Sequence, residues 1–378
     1  MRIRAAVLHE PRQPLVVEEV ELAPPRDDEV LVRVVAAGVC HSDVRLADGE
    51  LGEGRWPMVM GHEGAGVVEA VGAGVEHVAP GDHVGFCIVP ACRSCDECRA
   101  GRFHLCLPAG ENGPRGVLHD GTSRLSLPDG TALQHALMTA CFAEYTVVAA
   151  AGAVPLPPEL PLWQASLLGC GVVTAFGAVR NVARVRPSES AAVIGCGGVG
   201  LQVVAALHLA GASPIVAVDL DPAKLELALA RGATHAVESG SATTSARVVR
   251  ITGRGADHAF EVVGHPETMR LAWDCLRPGG TAVVVGLAPK DVDVALPAIE
   301  FLSDKAIRGS YYGSGDAAGD LPHLAGLALA GELDLASVVT RIEPLDAVNE
   351  ALDRLRFGDG VRTVLVLDAG LAGHPAHR

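Results

Sequence analysis

Over the first 150 residues, apolar positions come in short valine-rich runs bounded by Gly, Pro or Asp. "AAVLHE" (5–10), "VVEEVEL" (16–22), "EVLVRVVAAGV" (29–39) and "GAGVVEAVG" (64–72) read as strands. "PLPPELP" (155–161) is a turn-rich hinge, and beyond it the rhythm changes. "SAAVIG" (190–195) is a buried strand and "GLQVVAALHLAGA" (200–212) a helix. "PIVAVD" (214–219) is the next strand and "DPAKLELALARGA" (221–233) the next helix, with Pro222 near its start. "DHAFEVVG" (257–264), "HPETMRLAWDCLRPGG" (265–280) and "TAVVVGL" (281–287) continue the alternation. Strands alternating with helices predict a parallel sheet covered by helices on both faces. The last ~60 residues are mixed and end in the strand-like "RTVLVLD" (362–368). There is no repeat period and no long low-complexity segment.

Ala191 to Ala212 is apolar apart from Gln202 and His208, long enough to raise a membrane span. Its glycines bunch in the first half and Asp219 follows soon after, so it reads as strand, turn, helix. "MRIRAAVLHEPRQP" lacks the apolar core of a signal peptide. A soluble, cytoplasmic protein is expected, with no membrane partner. The formal charge of -15 argues against nucleic acid or an anionic membrane as a partner. In a chain of 378 residues and this setting, ten cysteines are expected as reduced thiols or metal ligands, not a disulfide frame.

"VIGCGGVGLQVV" places Gly195, Gly197 and Gly200 in G-x-G-x-x-G spacing. The spacing alone is a weak signal, but a buried strand precedes it, a helix follows, and the next strand ends in Asp219. Gly195 permits the tight turn, Gly197 a close approach of backbone to a pyrophosphate, and Gly200 close packing of helix on strand. The helix then offers free N–H groups to phosphates. Asp219 stands where an acid binds the adenosine ribose 2′-OH and repels a 2′-phosphate, so NAD is expected over NADP.

"CRSCDECRAGRFHLC" sets Cys92, Cys95, Cys98 and Cys106 within 15 residues. Four thiolates close a tetrahedral zinc shell with no position open, which makes a structural site. A ferredoxin-type iron–sulfur run has its next cysteine three residues on, not seven. Cys40 and His62 pose a harder question. A catalytic zinc wants three protein ligands and one open position, and Cys170, between two glycines in "LLGCGVVTAFGA" (167–178), is the candidate third. Taken singly, a buried cysteine is more often a small hydrophobe. Cys87, Cys141, Cys196 and Cys275 are read that way.

Here the chain resembles the zinc-dependent medium-chain alcohol dehydrogenases, in their class I/class III-like branch. "GHEGAGVVEAVGAGV" matches the family's zinc signature. "GVCHSD", the four-cysteine lobe, "GCGVVTAFGA", "GCGGVG" and "VRTVLVL" follow in the family's order over essentially the whole chain. "LHDGTSRLSLPDG" (118–130) resembles a segment of the dimeric branches, so a homodimer is expected.

The resemblance implies an α/β fold: a Rossmann doubly wound parallel sheet domain plus a GroES-like, mostly-β catalytic domain. The catalytic domain would comprise 1–171 with its zinc lobe at 92–106, the NAD domain 172–312, and 313–378 would return to the catalytic domain. It implies two zinc ions per chain, the catalytic one on Cys40, His62 and Cys170. Glu63 would stand behind that metal and Asp43 would orient His62. Ser42 would hydrogen-bond the substrate oxygen. His41 and Arg362 would lie near the cofactor pyrophosphate. Asp219 and Lys224 would hold the ribose, Gly198 would belong to the phosphate turn, and Thr174 and Val199 would line the nicotinamide pocket. The implied reaction is zinc-dependent, NAD-linked oxidation of a primary alcohol to its aldehyde, or the reverse.

Arg45 stands where many class I relatives end their proton relay in histidine, and arginine stays charged and cannot act as a base near neutral pH. The relay is then expected to end in His41, water or the ribose hydroxyl. Ile88 and Ala136, with Leu137 beside, match positions often held by bulkier aromatics, which leaves room for a medium-sized or aromatic alcohol. A thiol-dependent formaldehyde dehydrogenase is the alternative. The glutathione form carries an arginine shortly after the last lobe cysteine, where "CLPAGENGPRG" has Gly110, so a different small thiol such as mycothiol fits better. A nicotinoprotein that retains its cofactor is a further alternative. A non-catalytic NAD-binding relative would usually have lost the metal ligands, and Cys40, His62 and Cys170 all remain.

Overall fold

The computed structural model describes residues 1–51 and 56–373. The chain forms two compact units, Met1–Cys170 with Gly315–Arg378, and Gly171–Ser314.

The first unit is mostly β. Arg2–Leu8, Val16–Leu22, Leu125–Ser126, Ala132–His135 and Met58–Val59 close a small barrel. A second, seven-stranded sheet runs Ala153–Pro155, His83–Phe86, Glu63–Val71, Glu29–Val39, Arg362–Val366, Val339–Pro344, with Tyr145–Ala149 also paired to Glu29–Val39. Glu29–Val39 is its spine. It is paired along both edges, and nine of its eleven positions are buried. That is why it reads as a near-continuous apolar run. Its antiparallel register sets Gly38 opposite Glu63 and Val39 opposite Thr363. The residue that leaves this strand, the residue that enters the second and the first residue of the third therefore meet at one end of the sheet. These are Cys40, His62 and Arg362.

The second unit is a six-stranded parallel sheet: His235–Glu238, Ile215–Asp219, Ala191–Ile194, Ala256–Glu261, Leu276–Val284, Ala306–Gly309. In chain order the strands lie 3-2-1-4-5-6, the doubly wound arrangement whose order reverses between the first and fourth strands. Ala191–Ile194 and the helix Gly198–Leu209 occupy the apolar stretch weighed above as a membrane span. Among the described residues, one helical run, Leu162–Ala183, is long and apolar enough to cross a membrane, and 78% of its most apolar window is buried in the molecule. Two predicted bounds shift. The strand expected over 257–264 ends at Glu261, because the Val263 and Gly264 amides leave the ladder to bond the Glu261 carboxylate. The following strand reaches back to Leu276, inside the stretch read as helical.

Candidate active site

Cys40 ends the spine strand and precedes the helix His41–Ala47. Asp43, in the first turn of that helix, is fully buried and uses both carboxylate oxygens. Oδ2 accepts from the Cys40 backbone N–H at 3.0 Å, and Oδ1 accepts from His62 Nδ1 at 2.9 Å. A carboxylate on Nδ1 makes that nitrogen the donor and leaves the Nε2 lone pair for a metal. Nε2 lies 3.3 Å from Cys170 Sγ. The donor atoms of Cys40, His62 and Cys170 all lie within 4.8 Å of one another. Two thiols and an imidazole at these separations fit a tetrahedral zinc with one position left for substrate.

Each ligand is locally held. His62 follows Gly61, whose φ of +91° and close packing on Phe142 leave no room for a side chain. Cys170 sits in a π-helical turn, Leu168–Val172, a rare form that recurs at functional sites. A hydrogen bond from Cys170 holds the Cys40 thiol well below its ordinary pKa although burial opposes it, and the same bond together with burial pushes Cys170 up. For His62, burial disfavours the charged ring, but Asp43 outweighs that and raises its pKa.

Behind the ligands lies a buried ion pair. Glu63 is fully buried, and Arg362 Nη1 lies 2.9 Å from its Oε2. Arg362 also donates to the Val39 carbonyl at 3.2 Å. Arg362 is thus a buried residue of this cluster; a further contact to a pyrophosphate rests on the resemblance. Ser42 Oγ is 3.9 Å from Cys40 Sγ, and His41 is exposed on the first helical turn. Arg45 donates to Glu50 at 2.6 Å. Ala136 is buried in the core cluster of this unit and Leu137, half-buried, packs against it.

Cys92, Cys95, Cys98 and Cys106 bring their four sulfurs within 4.8 Å of one another, which fits a closed structural zinc shell. Backbone N–H groups of Cys95 and Cys92 donate to the Cys92 and Cys106 sulfurs at 3.3 and 3.2 Å, bonds that favour thiolates. Arg93 lies over the Phe103 ring at 4.2 Å and pairs with Asp316 at 2.7 Å, which ties the lobe to the returning C-terminal segment. The other four cysteines are buried, and burial pushes Cys196 and Cys275 up to about 12, so they are inert thiols.

In the second unit the Gly195-to-Gly200 turn joins the first parallel strand to the helix Gly198–Leu209. A Cβ on Gly200 would lie 1.9 Å from the Gly195 carbonyl oxygen, so helix and strand approach as closely as the motif requires. Gly197 is the residue before the first turn, and Gly198 and Val199 present the first free N–H groups. Asp219, at the end of the second strand, accepts from the Cys196 and Asp221 N–H groups at 2.6 and 2.9 Å. It therefore holds the turn, a tie that spacing does not reveal. Lys224 lies 3.9 Å from Asp221, and Thr174 is half-buried in Val173–Gly177.

Residues 26–158 match the alcohol dehydrogenase GroES-like domain and residues 198–365 the zinc-binding dehydrogenase domain. The chain is 39% identical to an S-(hydroxymethyl)glutathione dehydrogenase of Synechocystis, over 97% of this chain and all of that protein. It is 38% identical to proteins of the same name from Escherichia coli, with the same coverage. A zinc-binding-domain alcohol dehydrogenase of Burkholderia ambifaria superposes with a TM-score of 0.93 at 36% identity, covering 97% of this chain and 99% of that one. Benzyl alcohol dehydrogenase of Acinetobacter calcoaceticus superposes with 0.92 at 30% identity and the same coverage. With the GroES-like and Rossmann-type domains both matched and both zinc donor sets assembled, the chain belongs to the zinc-dependent medium-chain alcohol dehydrogenase family of oxidoreductases.

Proposed function

We propose that the protein oxidises a primary alcohol, aromatic or of medium size, to the aldehyde with NAD as hydride acceptor, and catalyses the reverse reduction. The observation that carries this reading is the Cys40–His62–Cys170 donor triangle, with Asp43 fixing the His62 tautomer. Zinc on that triangle supplies Lewis acidity to the substrate oxygen, and NAD supplies the hydride acceptor. Ser42 would accept the hydroxyl proton by hydrogen bond and pass it on toward His41 or water. Arg45 takes no part, since its guanidinium is engaged by Glu50 and stays charged. Glu63 and Arg362 form a charge-compensated wall behind the ligands. Gly195, Gly197, Gly198 and Gly200 would seat the pyrophosphate of NAD, Asp219 and Lys224 would hold its ribose, and Thr174 and Val199 would flank its nicotinamide.

Asp219 favours NAD by repelling a 2′-phosphate. By the resemblance, Ile88 and Ala136 stand where bulkier aromatics often narrow the pocket, which supports a roomy one, as does the structural likeness to a benzyl alcohol dehydrogenase. A homodimer is part of the proposal. Ala306–Gly309 is an edge strand, and Ile299 and Leu302 beside it are 72% and 82% exposed.

The curated relatives, named for a glutathione adduct, support in part a second reading, oxidation of a thiol–formaldehyde adduct. Gly110 brings no cation to the place where the glutathione form has arginine, so a different small thiol is the cosubstrate in that reading. NADH formation with a panel of aliphatic and aromatic primary alcohols, and with formaldehyde plus glutathione or mycothiol, separates them. Turnover of plain benzyl or medium-chain alcohols is the expected result. Turnover confined to thiol-plus-formaldehyde wells replaces the first reading with the second.

A further inference from the structure

The second unit holds a buried carboxylate that neither the sequence motifs nor the assignments above use. Glu261 is fully buried and ends the fourth parallel strand, beside the first strand, where the order of the sheet reverses. In doubly wound sheets ligands bind beyond the carboxyl ends of the strands at that reversal. Glu261 Oε1 accepts three hydrogen bonds: from the backbone N–H of Val263 at 2.9 Å, of Gly264 at 2.7 Å, and from Thr268 Oγ1 at 2.7 Å. Oε2 is buried and has no hydrogen-bond partner among the described residues.

A buried carboxylate that leaves one oxygen unbonded is costly, so the three bonds on the other oxygen must hold something that matters. They hold the turn Val262–Gly264. This turn packs on the phosphate turn: a Cβ on Gly195 would lie 2.6 Å from Val263 Cγ2, and one on Gly200 3.3 Å from Val262 Cγ2. On its other side the turn meets the end of the fifth strand, where a Cβ on Gly264 would lie 2.2 Å from the Leu287 carbonyl oxygen. The Glu261 carbonyl in turn accepts from the Val285 and Gly286 N–H groups. One residue thus clamps the turns following the fourth and fifth strands and presses the first of these on the Gly195-to-Gly200 turn.

We propose that Glu261 is a positioning residue for dinucleotide binding: its carboxylate fixes the 262–264 turn, and that turn fixes the phosphate loop. The inference rests on the reading of this loop as the NAD site. The experiment is NAD and NADH affinity measured by fluorescence titration on the purified zinc-loaded protein, without substrate, alongside zinc content and Tm. Wild-type protein that binds no NAD overturns the underlying reading and not only this role. If wild type binds, Glu261→Ala raises the NAD Kd about tenfold while both zinc ions stay bound. Glu261→Gln keeps an oxygen for the three donors and restores the Kd to within about threefold of wild type. If the alanine variant does not fold, Thr268→Val removes one of the three donors and is read instead, with an expected rise of about threefold. An NAD Kd unchanged in the folded Glu261→Ala variant, or in Thr268→Val where that is the one read, overturns the role. So does a Glu261→Gln variant as weak as alanine. A lowered Tm with unchanged Kd would mark Glu261 as structural only and equally overturn it.

Discussion

Asp43 bonds two metal ligands at once, one carboxylate oxygen on the Cys40 backbone and the other on the His62 ring. Asp43→Asn replaces one acceptor with a donor facing an N–H, so one of the two bonds is lost. Catalytic zinc affinity should fall about 10- to 100-fold in a chelator competition, with the lobe zinc unaffected. Cys40→Ser should leave one zinc per chain and no turnover. Cys98→Ser should lose the other zinc and lower Tm, since a closed four-thiolate shell contributes folding energy directly. Metal analysis of the two variants distinguishes the sites. Arg45→His tests the relay. Because Arg45 is turned onto Glu50, the pH–rate profile should be unchanged; a new titration step near neutral pH would place this residue on the proton path.

At the scale of the element, short turns carry the strictest demands. Gly61 combines positive φ with a Cβ position 2.4 Å from Phe142 Cδ1 and 2.5 Å from its backbone N. Gly61→Ala should cost about 3 kcal/mol or more in denaturant unfolding and displace His62. At the amino-terminal end of the parallel sheet, Asp257 accepts from the Ser190 N–H and hydroxyl at 2.8 and 2.7 Å and from Arg277 Nε at 2.5 Å. Burial disfavours its charge, but these bonds outweigh burial and hold its pKa at about 2, below the ordinary 3.8. A depressed folded pKa means that this stabilisation is fully present well above 3.8. It is lost as pH falls through about 2, where the folded state takes up the proton. Asp257→Asn should therefore cost about 1–3 kcal/mol at neutral pH, and the gap to wild type should narrow between pH 4 and 2 in acid unfolding. The alternating strands and helices read between 190 and 287 are present in the fold, whereas His235–Glu238, Thr244–Thr252 and Ala306–Gly309 were not legible from period and punctuation. Nor were element ends: the strand at 257–264 stops early because a side chain, Glu261, takes two amides out of the ladder.

For the whole molecule, coenzyme choice and assembly are the properties to measure. Asp219→Ser removes the charge proposed to repel a 2′-phosphate and the tie to the Cys196 N–H. The NADP-to-NAD ratio of kcat/KM should rise by at least tenfold while NAD itself binds more weakly, because the turn loses a support. Light scattering on the eluting protein should give twice the chain mass, with Leu302→Glu shifting it toward the monomer.

The features that sequence alone determined are those encoded locally. The four lobe cysteines lie within 15 residues, and a short loop can bring such neighbours onto one ion whatever the rest of the fold does. The glycine turn, its flanking strand and helix, and Asp219 likewise form one continuous β-α-β stretch, so their spacing already states their geometry. The remainder belongs to tertiary structure. His62 and Cys170 are 108 residues apart, and Glu63 and Arg362 are 299 apart. These meet because of strand register and one irregular helical turn, which no local pattern specifies. Family resemblance could nominate Cys40, His62 and Cys170, but the folded chain was needed to show their donor atoms converging. It alone showed Arg362 buried on Glu63, Arg45 held by Glu50, and Glu261 beneath the phosphate turn. Hydrogen bonds of buried polar groups are settled by what lies adjacent in space, and in a chain of a barrel and two sheets many of those neighbours are distant in sequence.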